Sequence, residues 1–214
     1  MTHPKIFLSV GSTSNDTQEA FVRMIEDRLR SEQLDPRTVG RNTWSSEAPL
    51  KAVERLMDQC VGAVIIALER YHFETGTEKR GGRGKRDLLD IKLPTAWNQI
   101  EASMAYSKNL PLLVLVEDGL KQDGLLEVGS DWYVQTVELN SSALSKAEFS
   151  GILADWKAKT LSRDAKKSQK SLNPGELSVA ELFGALKPGE VWKVLGVVAA
   201  VVGGAFALGA KLIG

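Results

Sequence analysis

One short segment of the sequence combines an aromatic ring and a carboxylate at a spacing that supports chemistry. Glu101 follows Trp97 by four residues in the segment WNQIE, which places both side chains on one face of a helix. A carboxylate beside an indole near strand ends has a raised pKa or stabilises a developing cation. The alternative for Glu101 is a surface or ion-paired glutamate, and the spacing alone favours that alternative. The alternative for Trp97 is packing in the core, which is compatible with stacking on a base.

Small polar residues follow the first apolar run of the chain. Ser9 and Gly11 lie at its end, and Ser12 comes next, within the sequence SVGSTS. Backbone amides after a strand can hold a phosphate group. The same residues are also ordinary turn formers, so both interpretations stay open.

A polar segment, residues 71–94, carries most of the basic groups near these candidates. Its cations include Arg83, Lys85 and Arg86, and Gly81, Gly82 and Gly84 lie close to them in the sequence. Composition favours a solvated, disordered loop. The functional alternative is a loop whose cations close over the phosphates of a ligand.

The pattern of apolar runs indicates the elements that must position these residues. Strands are predicted at residues 5–10, 61–68, 110–117 and 132–139, with a weak one near 37–41. Amphipathic helices are predicted at residues 17–32, 48–59, 96–107 and 146–159. The alternation predicts an α/β fold with a five-stranded parallel sheet in the flavodoxin-like order 2-1-3-4-5 and helices on both faces. Ligands of such sheets bind beyond the carboxyl ends of the strands, near the point where the strand order reverses.

The chain resembles two families that break N-glycosidic bonds to ribose with one glutamate. The segment WNQIE is similar to the W-x-x-x-E element of Toll/interleukin-1 receptor (TIR) domains that cleave NAD. The segment EASMAYSKNLP, residues 101–111, is similar to the E-x-G-x-A-x-A-x-G-x-P phrase of nucleoside 2-deoxyribosyltransferases. The resemblance covers residues 5–139, but it departs from the second family because the preceding D-x-G-T is replaced by Thr95-Ala96-Trp97.

The resemblance implies a TIR-like function in which Glu101 is the catalytic residue. NAD or a related nucleotide is then the substrate or ligand, with no separate cofactor, and bacterial relatives of this type imply antiviral defence. The substrate-binding candidates are Ser9, Gly11, Ser12, Trp97, Asn98, Arg83, Lys85 and Arg86. An alternative from a different class is a non-enzymatic sensor of a nucleotide second messenger, whose oligomerised membrane tails disrupt the bilayer.

The last part of the sequence predicts a membrane anchor. Residues 194–210 carry no charge, and the predicted transmembrane helix spans 191–213. This assignment is favoured over a buried core helix, because the segment has no polar face. Gly196, Ala200 and Gly204 share one groove, which predicts a homo-oligomer.

The predicted organisation has a domain at residues 1–160, a basic linker at 161–176 and an amphipathic helix at 177–187. That helix lies on the membrane surface or packs on the domain, and neither alternative is favoured. The basic linker predicts that the domain stays on the cytoplasmic side of a single-pass C-terminal anchor. Membrane lipid is therefore an expected partner.

Composition excludes other function classes. The 27 basic and 27 acidic residues balance, so charge favours no nucleic-acid partner. The sequence has a single cysteine, Cys60, and two histidines far apart, so we expect no zinc or other metal site. The lone cysteine also agrees with a reducing compartment, and the polar N-terminus predicts no signal peptide.

Overall fold

The computed structural model describes residues 3–129 and 131–172, and their main feature is a sheet of five parallel strands. With strands numbered along the chain, the order is β2-β1-β3-β6-β7. The bounds are β1 Lys5–Val10, β2 Asp35–Arg37, β3 Gly62–Ala67, β6 Leu112–Glu117 and β7 Tyr133–Val137. Since β6 and β7 are the fourth and fifth strands of this sheet, the predicted flavodoxin-like order is confirmed. The weak strand was predicted a few residues too late, because β2 ends at Arg37.

Five α-helices accompany the sheet within the described residues, and local signals define where they start. Their bounds are α1 Asp16–Ser31, α2 Pro49–Gln59, α3 Ala96–Ser107, α4 Ser141–Ser145 and α5 Ala147–Leu172. The side chain of Asn15 accepts a hydrogen bond from the Gln18 amide at the start of α1, and Thr95 does the same for Trp97 in α3. These N-caps satisfy backbone donors that a helix start leaves free.

Helices bury both faces of the sheet, which explains why β3 and β6 are continuous apolar runs. Phe21 of α1 and Phe149 of α5 pack on one face, and Met57 of α2 packs on the other. Burial of each such side chain contributes about 1.5–3 kcal/mol. On the second face α3 contributes Ala102 and Ala105, both fully buried, and the partly buried Met104. The two small alanine side chains let α3 lie close to the strands.

The segment predicted as a disordered loop is an antiparallel hairpin, and that prediction was wrong. Strand β4, Tyr71–Glu78, pairs with β5, Arg86–Leu93. The reason is visible in the sequence, since β-formers alternate with polar residues in YHFETGTE and DLLDIKL. Gly81 takes a positive φ of 80° in the turn, a conformation that glycine adopts without strain. The prediction of a disordered loop followed the basic composition of the segment and not this alternation.

The structure describes little of the C-terminal part of the chain. Contacts divide the chain into one compact unit, Met1–Asp164, and a second, Ala165–Gly214. Helix α5 continues past the predicted end at Lys159 to Leu172, because no helix breaker follows Gly151 until Pro174. The predicted linker at 161–176 is therefore helical as far as Leu172. No helix within residues 3–129 and 131–172 is long and apolar enough to span a membrane. The predicted helices at 177–187 and 191–213 lie outside the described residues.

Candidate functional site

The candidate site lies where the carboxyl ends of β1 and β3 adjoin the start of α3. Strands β1 and β3 are hydrogen-bonded neighbours, and the chain leaves them toward opposite sides of the sheet. This is the reversal point at which ligands bind in sheets of this topology. Close packing brings α3 there, since a Cβ added to Gly11 would lie 3.0 Å from Thr95 Cγ2. Gly11 therefore allows the loop after β1 to contact the start of α3.

Asn98 connects α3 to both strands. Its side chain is 1% exposed. Its Nδ2 donates to the Ile66 carbonyl at 3.2 Å and to Ser9 Oγ at 3.3 Å. Because a carbonyl can only accept, the bond to Ile66 defines the orientation of the amide. The other amide atom, Asn98 Oδ1, is buried without a hydrogen-bond partner among the described residues.

Glu101 lies one helical turn after Asn98 and is partly buried. Burial raises the pKa of its carboxyl from 4.5 to about 7, and a hydrogen bond with the Ser9 side chain opposes this shift. Ser9 Oγ accepts from Asn98 and has its proton available for Glu101. The three residues thus form a polar chain from the Ile66 carbonyl to the Glu101 carboxyl. A carboxyl with a pKa near neutrality can both stabilise positive charge and exchange a proton.

The other candidates on these elements are more accessible. Trp97 is 40% exposed, so its indole does not belong to the core. It precedes Glu101 by four residues on α3, and the ring is available for stacking beside the carboxyl. Ser12 is exposed in the loop after β1. Ser9, in contrast, is fully buried, so its side chain supports Glu101.

The basic candidates of the hairpin lie elsewhere. Arg83 and Lys85 are exposed in its turn, at the end farthest from α3. Seven residue steps separate the two ends of the hairpin, or roughly 24 Å of strand. Arg86 pairs with Glu78 at 2.6 Å, and Lys85 lies 3.6 Å from Asp87. The structure therefore does not group these cations with Glu101.

A network that the sequence analysis missed holds the neighbouring loops. Glu117 Oε2 accepts from the Glu69 amide at 2.6 Å and from Gln18 Nε2 at 3.3 Å. Gln18 also accepts from the Ser14 amide, and Glu69 pairs with Lys92 at 3.4 Å. The contacts join the ends of β3 and β6 to α1 and to the hairpin. Only the position of Glu117 at a predicted strand end hinted at this role.

Three cavities in the described part of the chain lie away from Glu101. One has a volume of about 590 Å³ and adjoins the start of β6, at the opposite edge of the sheet. Neither it nor the other two is lined by Glu101. Within residues 3–129 and 131–172, no group of three or more His, Cys, Asp or Glu could hold a metal ion. Glu101 is thus partly buried near the carboxyl edge of the sheet and lines none of these three cavities.

Removing the Asn98 amide is expected to destabilise the protein measurably. Asn98→Ala leaves the Ile66 carbonyl and Ser9 Oγ without their donor, and an unsatisfied buried polar group costs about 1–3 kcal/mol. Urea denaturation measures the change in the free energy of unfolding. Ser103→Ala is the matched control, because Ser103 is exposed on the same helix and its hydroxyl bonds only to the Gln99 carbonyl. Equal stability of both variants would contradict the proposed connection.

Comparisons with known proteins return distant structural similarities. No protein-family model matches the chain, and no curated protein matches it. The TIR domains of the activated Roq1 resistosome, which directly recognises the pathogen effector XopQ, are 13% identical with a TM-score of 0.36. That match covers 75% of this chain and 84% of the other. A conserved protein from Enterococcus faecalis V583 is 14% identical with a TM-score of 0.38, covering 73% and 99%. Both scores are low for chains that share a fold, so the fold assignment comes from the strand order itself.

Proposed function

We propose that the chain binds NAD or a related nucleotide at the carboxyl edge of its sheet and cleaves the N-glycosidic bond. The observation that carries the proposal is the Glu101 carboxyl, whose burial raises its pKa to about 7 at the reversal point between β1 and β3. Raised carboxyl pKa values concentrate at functional sites. The proposal also agrees with the resemblance of WNQIE to the W-x-x-x-E element of TIR domains.

The chemistry needs few groups from the protein. The bond between ribose C1′ and the pyridinium nitrogen breaks, and its electron pair goes to nitrogen, so nicotinamide leaves uncharged without a proton donor. Positive charge develops on the ribose, where ionised Glu101 stabilises it. Water then adds to C1′ and releases one proton. The half-exposed Trp97 ring provides a stacking surface for the departing base.

The position of the partly buried Glu101 outside these three cavities favours a site that a second copy of the chain completes. None of the three cavities surrounds the carboxyl, whereas ligand sites normally enclose most of a ligand's surface. Homo-oligomers formed through the predicted membrane helix at 191–213 would raise the local concentration of the domain. The proposal therefore includes a lipid-tethered oligomer.

The test is to incubate the full chain, in detergent micelles, with NAD and to measure nicotinamide release by chromatography. We expect turnover that increases more than linearly with protein concentration. Saturable NAD binding without any nicotinamide release would overturn the proposed cleavage and favour a nucleotide sensor instead.

The hairpin cations are expected to contribute little to substrate binding. Their distance from α3 along the hairpin predicts that Arg83→Gln with Lys85→Gln changes the KM for NAD by less than about twofold. Loss of a direct phosphate contact would instead raise KM about tenfold or more. Steady-state kinetics distinguishes the two results, and Lys51→Gln, an exposed cation on α2, is the control. A tenfold increase in the KM for NAD would show that these residues bind the substrate.

A further inference from the structure

The cavity that adjoins the start of β6 has features that the proposed cleavage does not use. Its volume of about 590 Å³ is in the range of small-molecule sites. Trp156 and Leu113, both buried, line its apolar interior. It adjoins the amino ends of β6 and β7, whereas Glu101 lies near the carboxyl ends of β1 and β3.

Aromatic rings form the walls of this cavity. The rings of Tyr106 and Trp132 meet at 64° with centroids 5.0 Å apart, so they form a corner. Tyr133 lines the cavity as well. Tyr106 and Tyr133 are 47% and 43% exposed, which leaves ring surface accessible to a ligand. The indole nitrogen of Trp132 donates to the Leu125 carbonyl at 2.9 Å, and this bond holds the ring in place.

Carboxylates contact the tyrosine hydroxyls of these cavity walls. Tyr106 donates its hydroxyl proton to Asp131 at 2.9 Å, and Tyr133 contacts Glu148 at 3.4 Å. Asp131 raises the pKa of the Tyr106 phenol, while burial and Glu148 raise that of Tyr133. A phenol that donates to a carboxylate has a more electron-rich ring, and such a ring attracts cations more strongly.

The cations near the cavity are already engaged. Lys159 lines it and pairs with Asp155 at 2.6 Å. Arg163 donates to the carbonyls of Lys108 and Asn109. No ion pair with Asp131 occurs among the described residues, so no side-chain cation neutralises its carboxylate at the aromatic corner.

From this arrangement we propose that the cavity between α3, β7 and α5 binds an organic monocation, a substituted ammonium with an apolar body. The apolar interior accommodates the body of the ligand. The corner of Tyr106 and Trp132 contacts the cationic end through cation–π attraction, and Asp131 neutralises its charge. The site is separate from Glu101 and its occupancy does not depend on NAD cleavage.

The test uses benzyltrimethylammonium as the probe, with the full chain in detergent micelles and binding measured by isothermal titration calorimetry. Benzyl alcohol and benzoate have similar bodies with neutral and negative charge. We expect saturable binding of the cation, weaker binding of the alcohol and none of benzoate. Equal affinity for cation and alcohol, or no saturable binding of the cation, would overturn the proposal.

Substitutions locate the probe within the cavity. Asp131→Asn is expected to weaken cation binding roughly threefold to tenfold, while Glu138→Gln, an exposed carboxylate beyond β7, leaves it unchanged. Tyr106→Leu removes the ring and weakens binding more than Tyr106→Phe, which keeps it. Both positions are exposed, and circular dichroism verifies folding. Unchanged affinity in Asp131→Asn and Tyr106→Leu would refute the assignment. Glu101→Gln keeps full probe binding, so failure of either proposal is recognised separately.

Discussion

Replacing Glu101 with glutamine is expected to lower the turnover of NAD by at least about 100-fold, the usual cost of removing one group that stabilises the charge of a transition state. The amide preserves the shape of the side chain but cannot carry the negative charge that stabilises a ribosyl cation. The substrate's other contacts remain, so KM should change far less than kcat.

The pH dependence of the wild-type protein gives this prediction a second measurement. Since the ionised carboxyl is the active form, kcat/KM should rise as the pH increases through about 7, the raised pKa of Glu101 in the protein without ligand. Nicotinamide release measured across this interval provides the profile. Glu54→Gln is the matched control, because Glu54 is an exposed glutamate on α2 with an ion pair to Lys108. Full turnover in Glu101→Gln, or a flat profile for the wild type, would exclude the proposed role.

The same substitution is expected to stabilise the folded protein at alkaline pH. The pKa of Glu101 is raised from 4.5 to about 7 on folding, so the native state holds its proton more tightly than the unfolded chain. The stability linked to this group is fully present at pH values below 4.5, and it is lost as the pH rises through 7. Between about pH 5 and about pH 8 the loss amounts to roughly 2–3 kcal/mol. Glutamine does not titrate, so the variant does not lose this contribution to the free energy of unfolding.

Urea denaturation of wild type and Glu101→Gln at both pH values measures the effect. We expect the stability difference between the two proteins to shift toward the variant at the higher pH. Comparing the variant with the wild type at each pH cancels the other titrating groups, such as Glu19, whose pKa is lowered to about 2 by Arg41. A stability difference that is independent of pH would show that the carboxyl is not held in a desolvated environment.

These two expectations have one physical origin. Partial burial of Glu101 destabilises its ionised form, and the same low-dielectric surroundings strengthen its attraction for a developing cation. Residues placed for function commonly reduce stability in this way. If only the stability effect were observed, Glu101 would be a buried structural acid. If both were observed, the site and its chemistry would be established together.

Continuous and periodic apolar patterns predicted most of the main sheet. Strand β1 and helix α3 were predicted with the bounds that the structure has, and β3 and β6 were predicted within two residues. Each follows from local composition, because a buried strand needs an unbroken apolar run and a helix start needs a cap. Strand β2 was placed late because three residues, DPR, carry almost no periodic signal.

The hairpin is the element for which amino-acid composition gave a wrong prediction. Charged and polar residues indicated a disordered loop, but two alternating segments pair with each other over their whole length. Pairing between segments is a property that neither segment shows alone. As a result, Arg83 and Lys85 were grouped with the site, whereas the turn carries them away from α3.

The sequence by itself determined the α/β architecture and singled out Trp97 and Glu101, because helical spacing and apolar runs are local properties. Only the tertiary structure decided which side chains surround the carboxyl. Ser9 and Asn98 are 89 residues apart and meet only because β1 and α3 pack together. The raised pKa of Glu101 arises from that packing, since desolvation depends on every element that approaches a group and not on its neighbours in sequence.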